Sequence, residues 1–223
     1  MEFKPIIIIC GHYGSGKTTF ALSLAKKLAK NRAVTLVDLD IVNPYFRSSD
    51  YTTNMTELGV RVIAPAFAGT TLDTPALSPQ IQGAIDTAGE NGYLIIDAGG
   101  DDTGCIALGC YAERIKEIGY DMLYVVNERR EIVADVEGAT EILREIEAVS
   151  RLKATAIVGN THLCFETTAQ VVKNGAKHAK RVSDAVSLLL LYNCYPDFLS
   201  GIETEIDNPF AVEVSVLCPW AEN

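Results

Sequence analysis

Short, continuous apolar runs punctuate this chain at residues 5–10, 33–39, 60–64, 93–97, 122–127, 154–160 and 186–191. Each is too short to span a membrane, and most are too uniformly apolar to have one wet face, so they read as strands buried on both sides of a sheet. Between them the period changes. Over residues 18–30, Phe20, Ala21, Leu24, Ala25 and Leu28 fall on one helical face, with Lys26, Lys27 and Lys30 on the rest. A second such pattern joins Val136, Ala139, Ile142, Leu143, Ile146 and Val149, with Glu and Arg filling its opposite face. Strands alternating with helices predict a doubly wound α/β fold, a mainly parallel sheet with helices on both faces. Residues 1–223 read as one domain, with no linker, repeat or low-complexity tract.

In such folds ligands gather at the carboxyl ends of the strands. Polar residues cluster there: residues 12–18 after the first run, Asp38 and Asp40 at the second, Asp97 to Asp102 at the fourth, Asn127 at the fifth and Asn160 at the sixth. The first cluster, Gly11-His12-Tyr13-Gly14-Ser15-Gly16-Lys17-Thr18, fits G-x-x-x-x-G-K-[ST] between a strand and a helix. Converging amides and the positive helix end attract phosphate, and Lys17 reaches the β and γ phosphates. The Thr18 hydroxyl suits Mg²⁺, and Thr19 follows it in the first helical turn. A β-carbon at Gly14 or Gly16 is expected to block the approach of the phosphates.

A triphosphate carries about four negative charges, so carboxylates beside it call for a cation between them. Asp97, closing an apolar strand, is assigned to Mg²⁺, and Gly100 behind it to the γ-phosphate. Asp38 and Asp40, two residues apart in an extended strand, project to one face. Asp38 is expected to approach the metal through water and Asp40 to activate the attacking water; the alternative is that Asp40 only caps the following turn. Asn160-Thr161-His162-Leu163 stands where a guanine reader carries N-K-x-D, without the Asp. Asn160 then either binds adenine, favouring ATP over GTP, or caps its own loop.

Nineteen basic against twenty-nine acidic residues, net −10, disfavour nucleic acid and anionic membrane. Residues Lys173, Lys177, His178, Lys180 and Arg181 share one predicted helix and read as a solvated face. The six cysteines lack C-x-x-C pairs, and Cys10 and Cys164 read as small core residues. With no membrane span and no signal-peptide pattern, a cytoplasmic location is expected.

These residues resemble the ParA/MinD/nitrogenase-iron-protein class of P-loop ATPases, including CobQ/CobB-type nucleotide-binding domains. The likeness covers the phosphate loop, Asp-Leu-Asp at residues 38–40, residues 97–100 and Asn160. Within the class it is most similar to ATP-binding proteins sharing the strings His-Tyr-Gly-Ser-Gly-Lys-Thr and Asp-Leu-Asp-Ile-Val-Asn-Pro-Tyr-Phe-Arg. The resemblance implies ATP, Mg²⁺, a protein partner and a nucleotide-bridged homodimer, with Lys17, Thr18, Asp40 and Asp97 at the family's functional positions. His12 occupies the slot of the lysine that reaches the partner's phosphates in relatives, so dimer-dependent activation does not carry over directly. Cys105 and Cys110 echo the cluster cysteine of the iron proteins, but their spacing names no ligands and Cys110 reads as a buried structural thiol.

The leading expectation is a Mg²⁺-dependent ATPase working as a nucleotide-driven switch on a partner. A kinase of the same fold, with residues 43–47 (Asn-Pro-Tyr-Phe-Arg) holding the acceptor, and a binding module without turnover are the alternatives.

Overall fold

The computed structural model describes residues 2–39, 52–63, 79–90, 92–99 and 102–214. Its strands are β1 (Ile6–Cys10), β2 (Ala33–Asp38), β3 (Val60–Ile63), β4 (Gly92–Asp97), β5 (Tyr120–Val126), β6 (Ala156–Gly159), β7 (Leu189–Pro196) and β8 (Pro209–Val212). Its helices are α1 (Lys17–Ala29), α2 (Thr52–Glu57), α3 (Pro79–Asp86), α4 (Asp102–Cys110), α5 (Ala112–Ile118), α6 (Val136–Ser150) and α7 (Ala169–Val186). The eight strands make one sheet in the order β3-β2-β4-β1-β5-β6-β7-β8, every pair parallel.

β1 shows why the sheet holds. Its five residues are all fully buried, and their side chains alternate between two separate cores. Ile6, Ile8 and Cys10 enter one core with Ile85 of α3, Leu108 of α4, Ile115 of α5, Leu143 of α6 and Val182 of α7. Ile7 and Ile9 enter the other with Phe20, Leu24 and Ala25 of α1 and Met55 of α2. Two faces are covered, so a continuous apolar run is required in the middle, as its sequence predicts. Burial also pushes the Cys10 thiol well above its ordinary range, which makes it an inert core group.

One expectation needs correction. The run at 186–191 is not where the seventh strand begins: α7 keeps its amphipathic spacing through Val182 and ends at Val186, and Ser187 turns the chain in the left-handed region at φ 55°. β7 then runs on through Tyr192, Asn193 and Cys194 to Pro196. β8 matches none of the apolar runs of the sequence. Its four residues gain their place through Phe210, which packs edge-on against Phe20 of α1 at 5.3 Å between ring centroids and against Tyr192 of β7 at 4.8 Å. Among the described residues no helix is long and apolar enough to cross a membrane.

Phe210 is 2% exposed, so Phe210→Ala should lower unfolding free energy by about 3 kcal/mol, the usual cost of emptying an aromatic site. A denaturant titration showing a loss below about 1 kcal/mol would mean that β8 is not tied to the core through this ring.

Candidate functional site

The turn between β1 and α1 lies in the centre of the sheet, at the carboxyl rim. α1 begins at Lys17 behind Gly16, which holds φ 81° and supplies no side-chain cap. By contrast, Asp135 caps α6 through the Gly138 amide and Thr168 caps α7 through the Val171 amide. The first turn of α1 carries no acidic residue. Its positive end is therefore left for an anion.

A loop that points its amides inward turns its carbonyls outward, and each of these needs a donor. The chain supplies them all from His12 to Gly16. The His12 carbonyl accepts from the Ser15 amide at 3.1 Å and from Lys17 Nζ at 3.3 Å. The Tyr13 carbonyl accepts from His12 Nδ1 at 2.9 Å. The Gly14 carbonyl accepts from Arg130 Nε at 2.8 Å and, more distantly, from Asn127 Nδ2 at 3.4 Å. Asn160 Nδ2 spans the last two, donating to Ser15 O at 3.0 Å and Gly16 O at 3.1 Å.

Asn160 is thus a brace. Its amide nitrogen is committed to the phosphate loop, so the alternative in which it both donates to and accepts from adenine loses its donor. The glycines follow from the same crowding. A β-carbon on Gly16 would lie 2.3 Å from Asn160 Nδ2 and 2.7 Å from His162 Nε2, and one on Gly14 2.6 Å from Arg130 Nε. What excludes a side chain at these positions includes the protein's own braces, beyond the phosphate approach that sequence alone suggests.

Lys17 and Thr18, 7% and 9% exposed, sit at the start of α1, and Thr19 beside them is half-buried. Ser15 is fully buried, and its Oγ has no hydrogen-bond partner among the described residues. Tyr13 is the exposed residue of the loop, at 50%. On the β4 side of β1, Asp38 and Asp97 are adjacent in the register of β2 and β4 and are 0% and 2% exposed. The Leu39 amide bonds to the Asp97 carbonyl at 2.9 Å, locking the two strand ends together. Two buried neighbouring carboxylates at the phosphate rim form a hard, oxygen-only donor set of the kind Mg²⁺ takes. Asp40, Gly100 and residues 43–47 lie outside the described residues.

Sequence reading missed Arg130 and His162. Asn127-Glu128-Arg129-Arg130 reads locally as a polar turn, yet it closes on the phosphate loop from the end of the neighbouring strand β5. The Glu128 amide donates to Thr161 Oγ1 at 3.0 Å, joining the loops after β5 and β6. His162 accepts from the Cys164 amide through Nδ1 at 3.4 Å, which leaves the proton on Nε2. Burial, helped by the Arg130 charge, pushes the His162 pKa down to about 4. His12 and His178 shift downward too, burial being the main cause. Of the cysteines, Cys105 is buried as a core thiol, while Cys110 is exposed, contrary to expectation, because it ends α4 on its outer face. Cys164 is half-buried in a turn at φ 51° rather than in the core.

Residues 6–181 match the CobQ/CobB/MinD/ParA nucleotide binding domain. The chain belongs to that family. It is a nucleotide-binding P-loop domain. No curated protein matches it. Among solved structures it is similar to cell division protein FtsY from Thermotoga maritima, 18% identical over 83% of this chain and 59% of that one, at a TM-score of 0.55. It is similar to the signal recognition particle 54 kDa protein from Aeropyrum pernix K1 in complex with GDP, 18% identical over 85% and 41%, at 0.56. A nucleotide-binding protein from Archaeoglobus fulgidus in complex with ADP is 17% identical over 83% and 79%, at 0.50. At these identities the likeness is one of fold. The chain spans 49% of the length of an FtsY from Elizabethkingia anophelis, about half.

Asn160→Ala removes the side-chain donor to the Ser15 carbonyl and one of two donors to the Gly16 carbonyl, which also accepts from the Phe20 amide at 3.0 Å, so it should cost about 1–3 kcal/mol of stability and weaken nucleotide binding. Unchanged thermal unfolding would remove the bracing role.

Because His162 titrates near 4 when folded and near 6.5 otherwise, the unfolded chain takes up the proton first as pH falls. Stability present above about pH 6.5 is then lost towards pH 4. His162→Gln should flatten that limb in unfolding curves from pH 7 to 4; a limb of unchanged slope would contradict it.

Proposed function

We propose that this chain is a Mg²⁺-dependent ATPase acting as a nucleotide-driven switch on a protein partner, with residues 1–223 working as one domain. The supporting observation is the pairing of Asp38 with Asp97, buried in register at the ends of β2 and β4, on the same carboxyl rim as the turn from β1 to α1 that carries Lys17 and Thr18. Neighbouring carboxylates on this rim offer oxygen ligands to a hard cation, and a bound triphosphate brings both the need for that cation and the remaining oxygen ligands. Thr18, Asp38 and Asp97 would hold Mg²⁺. When bound, the ion neutralises charge on the phosphates and steadies the leaving group.

The chain's own groups supply the rest. Lys17 lies against the His12 carbonyl, already folded over the loop. From there its ammonium can turn onto the β and γ phosphates at little conformational cost. The braced backbone of Gly14, Ser15 and Gly16 keeps its amides oriented before the ligand arrives, so little reorganisation is needed on binding. Asp40, two residues past Asp38 in the chain, is assigned to the attacking water. Gly100, three past Asp97, is assigned to sensing the γ-phosphate. ATP is the expected substrate because Leu163 stands where a guanine reader carries Asp. Its partner is another protein, and a homodimer is the form of association that the family suggests.

Lys17→Ala should abolish phosphate release from ATP, while Asp40→Asn should keep ATP binding and lose at least about 100-fold in turnover. Phosphate release and titration calorimetry on the same preparations decide this. Wild-type turnover in the Lys17 variant would overturn the site, and loss of binding together with turnover in the Asp40 variant would make Asp40 a metal ligand.

A further inference from the structure

Three large apolar side chains stand exposed where β6 and β7 end: Leu163 at 40%, Phe165 at 56% and Phe198 at 45%. The rings of Phe165 and Phe198 stack, 6.4 Å between centroids and 26° from parallel. Both turns are fixed by hydrogen bonds. The Glu166 amide bonds to the Leu163 carbonyl at 3.0 Å, and Thr167 Oγ1 ties Leu163 N at 2.8 Å to Cys164 O at 2.6 Å. Beyond β7, the Leu199 amide bonds to the Pro196 carbonyl at 2.9 Å. Glu166 and Asp197, the chain neighbours of the two rings, are exposed as well. An apolar patch with charged neighbours on rigid turns is the form of a seat for another segment.

Two observations name the occupant. Cys164, between Leu163 and Phe165, is disulfide-bonded, whereas Cys10, Cys105, Cys110 and Cys194 are in no disulfide. The sequence has six cysteines, which leaves Cys218 as the partner within the chain. The path of the chain agrees. β8 runs parallel to β7 and delivers its end to this same rim: Val212 pairs with Pro196, and the Asp197 amide donates to the Val212 carbonyl at 3.0 Å, one residue before Phe198. Cys218 follows six residues after Val212, a reach of up to about 20 Å of extended chain. Residues 214–221, Val-Ser-Val-Leu-Cys-Pro-Trp-Ala, carry no charge, and Trp220 is the one tryptophan of the sequence.

We propose that Leu163, Phe165 and Phe198 seat the chain's own C-terminal segment, residues 216–220, and that a disulfide between Cys164 and Cys218 latches it there. This goes beyond the nucleotide reading and does not depend on it. A disulfide holds its two Cα atoms about 4.4–6.8 Å apart, so Trp220, two residues past Cys218, is brought within reach of the Phe165 and Phe198 rings. On closing, the two thiols give up two protons and two electrons as their S–S bond forms. A small disulfide such as oxidised glutathione takes these up, its own S–S bond breaking to give two thiols, and a dithiol runs the exchange backwards and frees the segment. The Cys164 amide donates to His162 Nδ1 at 3.4 Å, and His162 Nε2 would lie 2.7 Å from a β-carbon on Gly16. The latch therefore closes on the turn that backs the phosphate loop. In a reducing compartment a bond of this kind is transient and reports redox state.

The test treats the full chain with oxidised glutathione or with dithiothreitol, maps its peptides by mass spectrometry without further reduction, and records Trp220 fluorescence. Oxidised wild type should yield two peptides joined through Cys164 and Cys218, which dithiothreitol separates. Its Trp220 emission should lie to the blue of the reduced protein, and Cys218→Ser should show the reduced spectrum under both conditions. Phe165→Ala should keep the link but lose most of the blue shift. Cys110→Ser, which removes an exposed thiol, should change neither readout. Capture of Cys164 on glutathione alone, a Cys164 link to a second copy, or equal emission before and after reduction would overturn the latch. A link between Cys164 and Cys218 with Trp220 emission as red as in the denatured chain would overturn the seat.

Discussion

Everything at the rim of this sheet depends on how the outward carbonyls of the phosphate loop are satisfied. A short turn can present its amides to an anion only if its oxygens find donors elsewhere, and a turn at the end of a buried strand has little water to supply them. Here the donors come from Lys17 and His12 within the loop, from Arg130 and Asn127 after β5, and from Asn160 after β6. The loop is thereby held in its binding shape by distant parts of the chain. Preorganisation of this kind lowers the cost of ordering on binding.

The same bonds weld three loops into one unit. Asn127 and Arg130 lead into α6, Asn160 and Thr161 lead into α7, and the Glu128 amide bonded to Thr161 joins the two. Thr161 lies so close to α7 that a β-carbon on Gly175 would come within 2.2 Å of it. A shift of the phosphate loop would therefore be felt by both helices on that face. This side of the site is a rigid floor and the carboxylate side carries the charge.

Much of this was legible in the sequence, and the parts that were not have physical reasons. The buried strands, the alternation with helices and the loop from Gly11 to Thr18 all rest on local pattern, which survives folding. The end of α7 and the start of β7 blurred because one apolar run suits either state. β8 is four residues long and is defined by its contact with Phe20, some 190 positions away, so no local signal marks it. Asn160 follows β6, where an amide fits a base as well as a carbonyl, and its bonds to Ser15 and Gly16 are invisible to local pattern. Arg130 gave no signal because its partner, Gly14, is over a hundred residues distant. Cys110 looked buried in an apolar stretch and proved exposed, since a helix with apolar residues all round still has an outer face.

The most direct measurement of the central claim is an amide NMR titration of the whole chain with Mg-ATP. Saturable shifts that begin at Gly14, Gly16, Lys17 and Thr18, spread to Asn127, Arg130 and Asn160, and leave the loops at the opposite end of the sheet unmoved are the predicted result. Shifts that bypass the phosphate loop, or none at all at millimolar nucleotide, would contradict it.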